Sequence, residues 1–254
     1  MSPRADLMPT ASGWRRLSYT SRGGFVDWGH AQPGAVRKLK RLMDGETSDW
    51  LSLKKLQVTL SGSPAFVLDF GEEMRKGFLT VGNVAQFVVR RRLDGRAKEA
   101  VALAIFQKAS LGFEALQASP PFRWVSDKGF SGEDLVSDLI GFYGVYRGFS
   151  DERMRRIAGE VTVDESLKVW DDHLPNGIGG LKNYRFAPIL FPIDPHFDTS
   201  WPAEFSGIRP ARPGGDWIAV KDRFIDGILV NRGQPLAALT DGIVMTVPPA
   251  VGSR

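Results

Sequence analysis

An aspartate and a histidine stand close together in a glycine-framed segment near the start of the chain. Asp27 and His30 belong to the sequence Gly-Gly-Phe-Val-Asp-Trp-Gly-His at 23–30. In a loop that leads into a helix, both side chains can converge on one point. A histidine with a nearby carboxylate suits metal ligation, general-base catalysis or a plain internal hydrogen bond. The structural alternative is that Asp27 caps a turn and His30 satisfies a backbone group.

A second candidate, Glu114, lies near the end of the strongest predicted helix, residues 96–117. Most of the surface of this helix is apolar, so we expect it to be largely buried. One polar ridge remains, formed by Gln107, Ser110, Glu114 and Gln117. Burial would raise the pKa of the Glu114 carboxyl, as a general acid requires. The alternative is that the ridge is an ordinary solvent-exposed strip.

A third group of acids lies in Phe-Ser-Gly-Glu-Asp-Leu-Val-Ser-Asp at 130–138. Ser131 is predicted to cap the helix that follows. Glu133 and Asp134 then fall in its first turn, where acidic side chains complement the helix dipole. Asp138 lies one helical turn beyond Asp134, on the same face. These acids have a ready structural explanation, and Glu133 is also a candidate catalytic carboxyl.

The other two histidines lie in acid-rich stretches further along the chain. His173 follows two aspartates, and His196 lies between Asp194 and Asp198. Both stretches hold oxygen and nitrogen atoms that a divalent cation accepts as ligands. Neither has the spacing of a known metal motif, so exposed loop residues are the alternative. The chain has no cysteine, which excludes disulfides, thiolate metal sites and cysteine nucleophiles.

Charge is distributed unevenly along the 254 residues. Residues 1–98 carry 17 Lys and Arg against 9 Asp and Glu, whereas the remainder carries 16 against 20. A basic half attracts anionic polymers such as nucleic acid, anionic lipid or acidic cell wall, although it can also be a plain solvated surface. The sequence contains no nucleic-acid-binding motif, so no nucleic-acid partner is predicted.

Residues 1–13 are polar and are predicted to form a disordered tail before a single globular domain over 14–254. They lack the apolar stretch of a secretory signal peptide. The sequence therefore predicts a cytoplasmic protein, or one secreted without a cleaved signal. No window approaches the roughly 18 apolar residues that a membrane-spanning helix needs, so no membrane span is predicted.

Hydrophobic periodicity and turn residues predict an α+β protein. An antiparallel meander of three or four strands over 50–92 and the terminal strands would pack around a central helical region. A hairpin is predicted at 122–130, after Pro120-Pro121 ends the long helix. The other predicted strands are 14–19, 23–30, 217–220, 225–230 and 243–247, and the other predicted helices are 33–43, 131–146, 150–159 and 163–172.

Two of these segments resemble a bacterial family of unknown function. Its members pair a Gly-Gly-Phe-Ile-Asp-x-x-His segment with a later Phe-Ser-x-Glu-Asp-x-x-Ser-Asn-x-x-Gly segment, and a helix with a glutamate lies between them. The corresponding segments here are 23–30 and 130–141, with Asp138 in place of the asparagine. The resemblance implies a shared site and no particular reaction. The residues it singles out are Asp27, His30, Glu114, Glu133 and Asp134.

The order helix, glutamate, hairpin, helix over 96–146 is similar to the arrangement in lysozyme-like enzymes. It predicts a hydrolase that cleaves a glycan of the bacterial cell envelope, such as peptidoglycan, without a cofactor. Glu114 would be the general acid, and Asp27 or Asp127 would stabilise charge or activate water. His30 and Glu133 complete the predicted catalytic residues. The predicted substrate-binding residues are Trp28, Trp124, Phe122, Gln107 and Ser110.

By analogy, a basic hydrolase without a signal peptide fits an antibacterial effector or toxin with an immunity or delivery protein as partner. Two alternatives remain open. In the first, Asp27, His30 and Glu114 bind a divalent metal that activates water. In the second, the protein is not an enzyme, and the same side chains form a buried polar network in a binding or scaffold domain.

Overall fold

The computed structural model describes residues 2–31, 34–49, 54, 57–76, 79–117, 131–219 and 243–246. Side chains are described within these ranges except at 72–76, 79–84, 113–117 and 243–246. The chain divides into two compact units, and each combines segments that are distant in sequence. Unit 1 comprises Met1–Val36 and Ser110–Gly207, and unit 2 comprises Arg37–Ala109 and Ile208–Arg254. The prediction of a single domain over 14–254 did not contain this subdivision.

Helices and antiparallel strands are both present, which confirms the predicted α+β class. The α-helices of the described residues are α1 Gly34–Gly45, α2 Gly95–Gln117, α3 Asp134–Arg147, α4 Asp151–Ala158 and α5 Val163–His173. The strands are β1 Leu17–Thr20, β2 Gly24–Asp27, β3 Gln57–Leu60, β4 Ser63–Lys76, β5 Leu79–Arg90, β6 Trp217–Ala219 and β7 Ile243–Thr246. None of the described helices is long and apolar enough to cross a membrane.

Unit 2 contains a five-stranded antiparallel sheet in the order β6-β5-β4-β3-β7. Its centre is the predicted meander, in which β3, β4 and β5 follow one another along the chain. Leu79–Arg90 is one continuous strand, β5, because Gly82 pairs with Glu73 without interrupting the ladder. The strand predicted at 225–230 lies outside the described residues.

Unit 1 is built on the short antiparallel pair β1 and β2, whose residues are all buried. Aromatic rings pack edge to face in its core. The ring centroids of Tyr19 and Phe25 are 5.0 Å apart, and those of Phe25 and Trp170 are 5.6 Å apart. These contacts fasten α5 to the strand pair near its hairpin end, where Thr20 pairs with Gly24.

The prediction of a disordered tail is wrong for residues 2–8. Arg4–Leu7 forms a 3-10 turn, and Leu7 is fully buried in the core of unit 1. The Arg4 guanidinium donates two hydrogen bonds to Asp171, at 2.8 and 2.7 Å. A single leucine in a polar stretch gives no periodic signal, yet burying such a side chain stabilises a fold by about 1.5–3 kcal/mol.

Helix α3 begins later than predicted and without the predicted Ser131 cap. Its N-cap position is Glu133, which makes no side-chain capping bond. The Asp134 carboxylate instead accepts the backbone N–H of Ser131 at 3.2 Å, so an acid of the first turn holds the incoming chain. The predicted hairpin at 122–130, and with it the lysozyme-like order, lies outside the described residues.

Candidate functional site

The turn after β2 is closed by the carboxylate of Asp27. Its Oδ1 atom accepts the backbone N–H groups of Gly29 at 2.7 Å and His30 at 3.2 Å. The Asp27 carbonyl accepts the N–H groups of His30 and Ala31, at 3.0 and 2.9 Å. Gly29 lies so close to this carboxylate that a Cβ atom at position 29 would be 2.9 Å from Asp27 Oδ1. The position therefore favours glycine. The main chain of His30 is therefore fixed in place.

The second carboxylate oxygen of Asp27 is occupied as well. Oδ2 accepts the Ser2 hydroxyl at 2.6 Å and lies 3.4 Å from the Arg16 guanidinium. Burial alone would raise the pKa of Asp27, but the charges of His30 and Arg16 and the bonds from Ser2 and Gly29 outweigh it, so the pKa lies below its ordinary value. Asp27 is therefore an ionised, 1% exposed side chain that positions the turn. A role for it in activating water is not supported by these contacts.

A second carboxyl group of the site, Glu133, is completely buried. The Ser131 hydroxyl donates to its Oε2 atom. Its Oε1 atom accepts no hydrogen bond within the described part of the chain. Burial, together with the neighbouring charge of Asp134, raises the pKa of Glu133 to about 7. This side chain therefore exchanges a proton near neutral pH.

Like the half-exposed Arg16, His30 reaches solvent, with one third of its side chain exposed (33%). Its Nδ1 atom lies 4.0 Å from Oδ1 of Asp138, which is itself nearly buried. Asp134 is buried too, and burial raises the pKa of its carboxyl while the charge of His30 opposes the rise. The imidazole thus separates solvent from the buried acids on α3.

Ser137 joins the histidine turn to the acids of α3. Its hydroxyl donates to the backbone carbonyl of Glu133 at 2.6 Å and accepts the backbone N–H of Asp27 at 2.9 Å. One turn further along α3, a Cβ on Gly141 would lie 2.7 Å from the Ala31 carbonyl oxygen. Because Gly141 has no side chain, the turn after β2 and helix α3 can be in direct contact at this point.

Asp27, His30, Glu133 and Asp134 thus lie in one cluster, as the sequence predicts. Glu114 lies on α2, but its side chain is outside the described residues, and so are all atoms of Trp124, Phe122 and Asp127. Its place in the cluster stays a prediction. Gln107 belongs to unit 2, whereas Ser110 belongs to unit 1 and is fully buried.

The prediction that Trp28 stacks on a sugar is wrong, because its ring is only 1% exposed. The indole N–H donates to the Ser18 hydroxyl at 2.7 Å, and the Arg155 guanidinium covers the ring at 4.4 Å. A tryptophan beside a glycine in a polar segment resembles a surface aromatic in sequence. Here it packs under the strand pair, and the cation above it closes the remaining face.

The two other histidines lie apart from this cluster. His173 stacks on the ring of Phe191 at 4.9 Å. His196 is 91% exposed and bonds to the neighbouring Asp194. Among the residues that the structure describes, no group of three or more His, Asp and Glu side chains is arranged to hold a metal ion.

Three side chains that the sequence did not single out complete the cluster: Ser2, Arg16 and Ser137. Ser137 occupies a fixed place in the second resembling segment, and that spacing is the signal that was available for it. The finished site is a set of buried carboxyl groups with an imidazole and a guanidinium that both reach solvent, and the carboxyl groups with the imidazole are suited to proton transfer. Comparisons of the chain with protein-family models, with curated proteins and with solved structures gave no match.

Proposed function

We propose that this protein is an acid–base hydrolase that cleaves a glycan of the bacterial cell envelope. The observation that carries the proposal is the position of His30. Its imidazole is one third exposed, its main chain is fixed by Asp27, and its Nδ1 atom faces Asp138 at 4.0 Å. A histidine held in this way against a carboxylate is the side chain best suited to accept a proton from water.

In the proposed reaction, a water molecule gives a proton to His30 while its oxygen forms a bond to the anomeric carbon of the sugar. The glycosidic bond breaks at the same carbon, and the leaving oxygen takes a proton from Glu114, the predicted general acid. The imidazolium that forms is stabilised by Asp138 and by the other acids of the cluster. The imidazole returns its proton to solvent, through which Glu114 is protonated again.

Glu133 has a different part in this proposal. It is fully buried and cannot touch a substrate, so it is not a catalytic residue here. Because its pKa is about 7, its carboxyl is partly protonated at neutral pH. The protonated form lowers the negative charge near Asp134 and Asp138. Glu133 therefore sets the charge of the cluster that faces the imidazole.

The substrate class is the one expected from the charge of residues 1–98, which carry 17 basic against 9 acidic side chains. Only four of those basic residues, Arg4, Arg15, Arg16 and Arg22, lie in unit 1 with the candidate site, so this balance is not itself a property of the site. Peptidoglycan carries free carboxyl groups and sugar rings, and both are expected to be recognised. A polymer substrate also agrees with an imidazole that is open to solvent on one side.

The test is the release of reducing sugar ends from purified peptidoglycan in the presence of a chelator. We expect wild-type protein to release them. We expect His30→Gln to reduce the rate by about 10²–10⁴-fold and Asp138→Asn to reduce it by about 10-fold or more. His196→Gln, which alters an exposed histidine that pairs with Asp194 outside the cluster, is the matched control and should keep full activity. Absence of release by wild-type protein contradicts the proposal. Activity that vanishes with chelator and returns with a divalent metal favours the metal-dependent alternative instead.

One observation favours a second, non-enzymatic function. Ser131, Glu133, Ser137 and Asp27 are each at most 1% exposed and are linked by hydrogen bonds. Such a network also stabilises a binding or scaffold domain. In that case His30→Gln would change neither binding nor stability, whereas the substitutions in the buried network would lower the melting temperature.

A further inference from the structure

A tight turn over residues 183–187 is closed by the side chain of Asn183. Its Oδ1 atom accepts the backbone N–H of Arg185 at 3.0 Å, and its Nδ2 group donates to the carbonyl of Ala187 at 2.9 Å. Asn183 itself is only 6% exposed. The amide therefore holds both sides of the turn and leaves the tip, Tyr184 to Phe186, projecting from a fixed base.

This turn is attached to the start of the acid cluster. The Nδ2 group of Asn183 also donates to the carbonyl of Gly132 at 3.3 Å, directly before Glu133. Ser131 and Lys182 form an antiparallel bridge. A Cβ on Gly132 would lie 2.8 Å from the side chain of Leu181, so the two segments are in close contact. The turn therefore adjoins the site and belongs to the same unit.

The tip of the turn combines an exposed aromatic ring with positive charge. Tyr184 is 62% exposed, the largest exposure among the big hydrophobic side chains that the structure describes. Arg185 is exposed next to it, and its guanidinium has no ion pair within the described residues. No acidic residue occurs in the sequence from 181 to 193, whereas Lys182 adds a second cation. An aromatic face beside the Arg185 guanidinium suits a ligand that has both a flat apolar surface and negative charge.

We propose that the Asn183-closed turn is the arm that binds an anionic glycan beside the acid cluster. The Tyr184 ring packs against the apolar face of a sugar, and the Arg185 guanidinium pairs with a carboxylate of the polymer. This inference rests on the proposed function for its substrate class, but it concerns binding and not bond cleavage. In this proposal Tyr184 takes the place of Trp28 as the aromatic contact to a sugar, because Trp28 is buried.

The fixed base of the turn supports this role. An exposed tyrosine on a mobile loop would lose conformational freedom on binding, and that loss weakens affinity. Here the hydrogen bonds of Asn183 set the backbone before a ligand arrives.

The test measures binding of fluorescently labelled protein to purified peptidoglycan, with His30→Gln in every variant so that no cleavage occurs. We expect Tyr184→Ala and Arg185→Ala each to weaken binding about tenfold. Tyr184→Phe should keep the affinity of the parent because it keeps the ring. Met8→Ala is the matched control, since Met8 is a half-exposed apolar side chain in the same unit. Uncharged N-acetylglucosamine oligomers should lose the Arg185 effect and keep the Tyr184 effect.

Equal binding by the parent, Tyr184→Ala and Arg185→Ala overturns the proposal, as does a parent that does not bind. A common loss in Tyr184→Ala, Tyr184→Phe and Met8→Ala would show a general surface effect and also overturns it. Binding that depends on Tyr184, in a protein whose wild-type form releases no reducing ends, rejects the hydrolase and keeps the arm. Cleavage by wild-type protein, with unchanged binding in the arm variants, rejects the arm and keeps the hydrolase.

Discussion

The hydroxyl of Ser137 accepts the backbone N–H of Asp27 at 2.9 Å, although the two residues are separated by 110 positions in the sequence. The same hydroxyl donates to the carbonyl of Glu133, one turn back along α3. One oxygen atom therefore connects the turn that presents His30 to the helix that presents the acids. The spacing of the histidine from Asp138 depends on this connection.

We expect Ser137→Ala to lower the free energy of unfolding by about 1–3 kcal/mol, because it leaves the buried N–H of Asp27 without an acceptor. It should also lower peptidoglycan cleavage, since the turn is no longer held to α3. Ser166→Ala is a close control. Ser166 accepts the N–H of Tyr19 and donates to the Thr162 carbonyl in the same pattern, away from the cluster. A Ser166→Ala variant that is equally destabilised and equally inactive would assign the whole loss to stability.

The raised pKa of Glu133 predicts a pH-dependent stability. Its folded value of about 7 lies above its ordinary 4.5, so the folded state binds this proton more tightly than the unfolded state does. The associated stability is fully present below pH 4.5 and is lost as pH rises through about 7. The loss is on the order of 3 kcal/mol by linkage. The raised pKa of Asp134 acts in the same direction.

Urea denaturation between pH 4.5 and 8 measures this effect. Glu133→Gln, which is neutral throughout, should flatten the dependence and be more stable than wild type above pH 7. Glu152→Gln alters an exposed acid of α4 and should follow the wild-type curve. A Glu133→Gln curve that runs parallel to wild type would show that this carboxyl does not bind the proton.

Much of the fold follows from local patterns in the sequence. The helix predicted over 150–159 is α4, because Ser150 accepts the N–H of Arg153 at its start and Gly159, with φ of 73°, ends it. The meander follows from alternating apolar residues. The two compact units do not follow, since each is assembled from segments more than 70 residues apart and no local pattern records that pairing.

Only part of the site was predicted, because local patterns indicate single residues but do not record which of them come together. Asp27 and His30 stood out because glycines frame them, and Glu133 because it fell in the first turn of a predicted helix with further acids. Their convergence depends on Ser137 and on the close approach of Gly141 to Ala31, which are tertiary contacts. Burial of an aromatic ring is tertiary as well, so the sequence alone did not distinguish the buried Trp28 from the exposed Tyr184.

The N-terminal segment should contribute to stability, contrary to the expectation of a disordered tail. Leu7 is fully buried, so Leu7→Ala should lower the free energy of unfolding by about 2–5 kcal/mol. Met8→Ala, at the next and half-exposed position, should change it by less than about 0.5 kcal/mol. Thermal unfolding of the two variants decides the matter, and equal melting temperatures would mean that the segment is not docked in solution.

Asp27 and Asp138 both face His30, but we expect Asp27 to contribute to stability and activity and Asp138 to contribute to activity alone. In Asp27→Asn, an amide N–H₂ replaces an oxygen that accepts hydrogen bonds from Gly29, His30, Ser2 or Arg16, so buried donors lose their acceptor. This variant should lose about 1–3 kcal/mol of stability together with activity. Asp138→Asn keeps the shape of a side chain whose distance to the imidazole is 4.0 Å, so it should lose activity at nearly unchanged stability.

Urea denaturation and reducing-end release on the same two proteins separate these contributions. The informative comparison is made at a temperature where both variants remain fully folded, so that activity reports geometry and charge alone. Under those conditions Asp138→Asn should lower kcat without raising KM, because the carboxylate stabilises the positive charge that His30 gains as it takes a proton from water. A raised KM with unchanged kcat would place Asp138 in substrate binding, and unchanged kinetics would remove Asp138 from the proposed proton transfer.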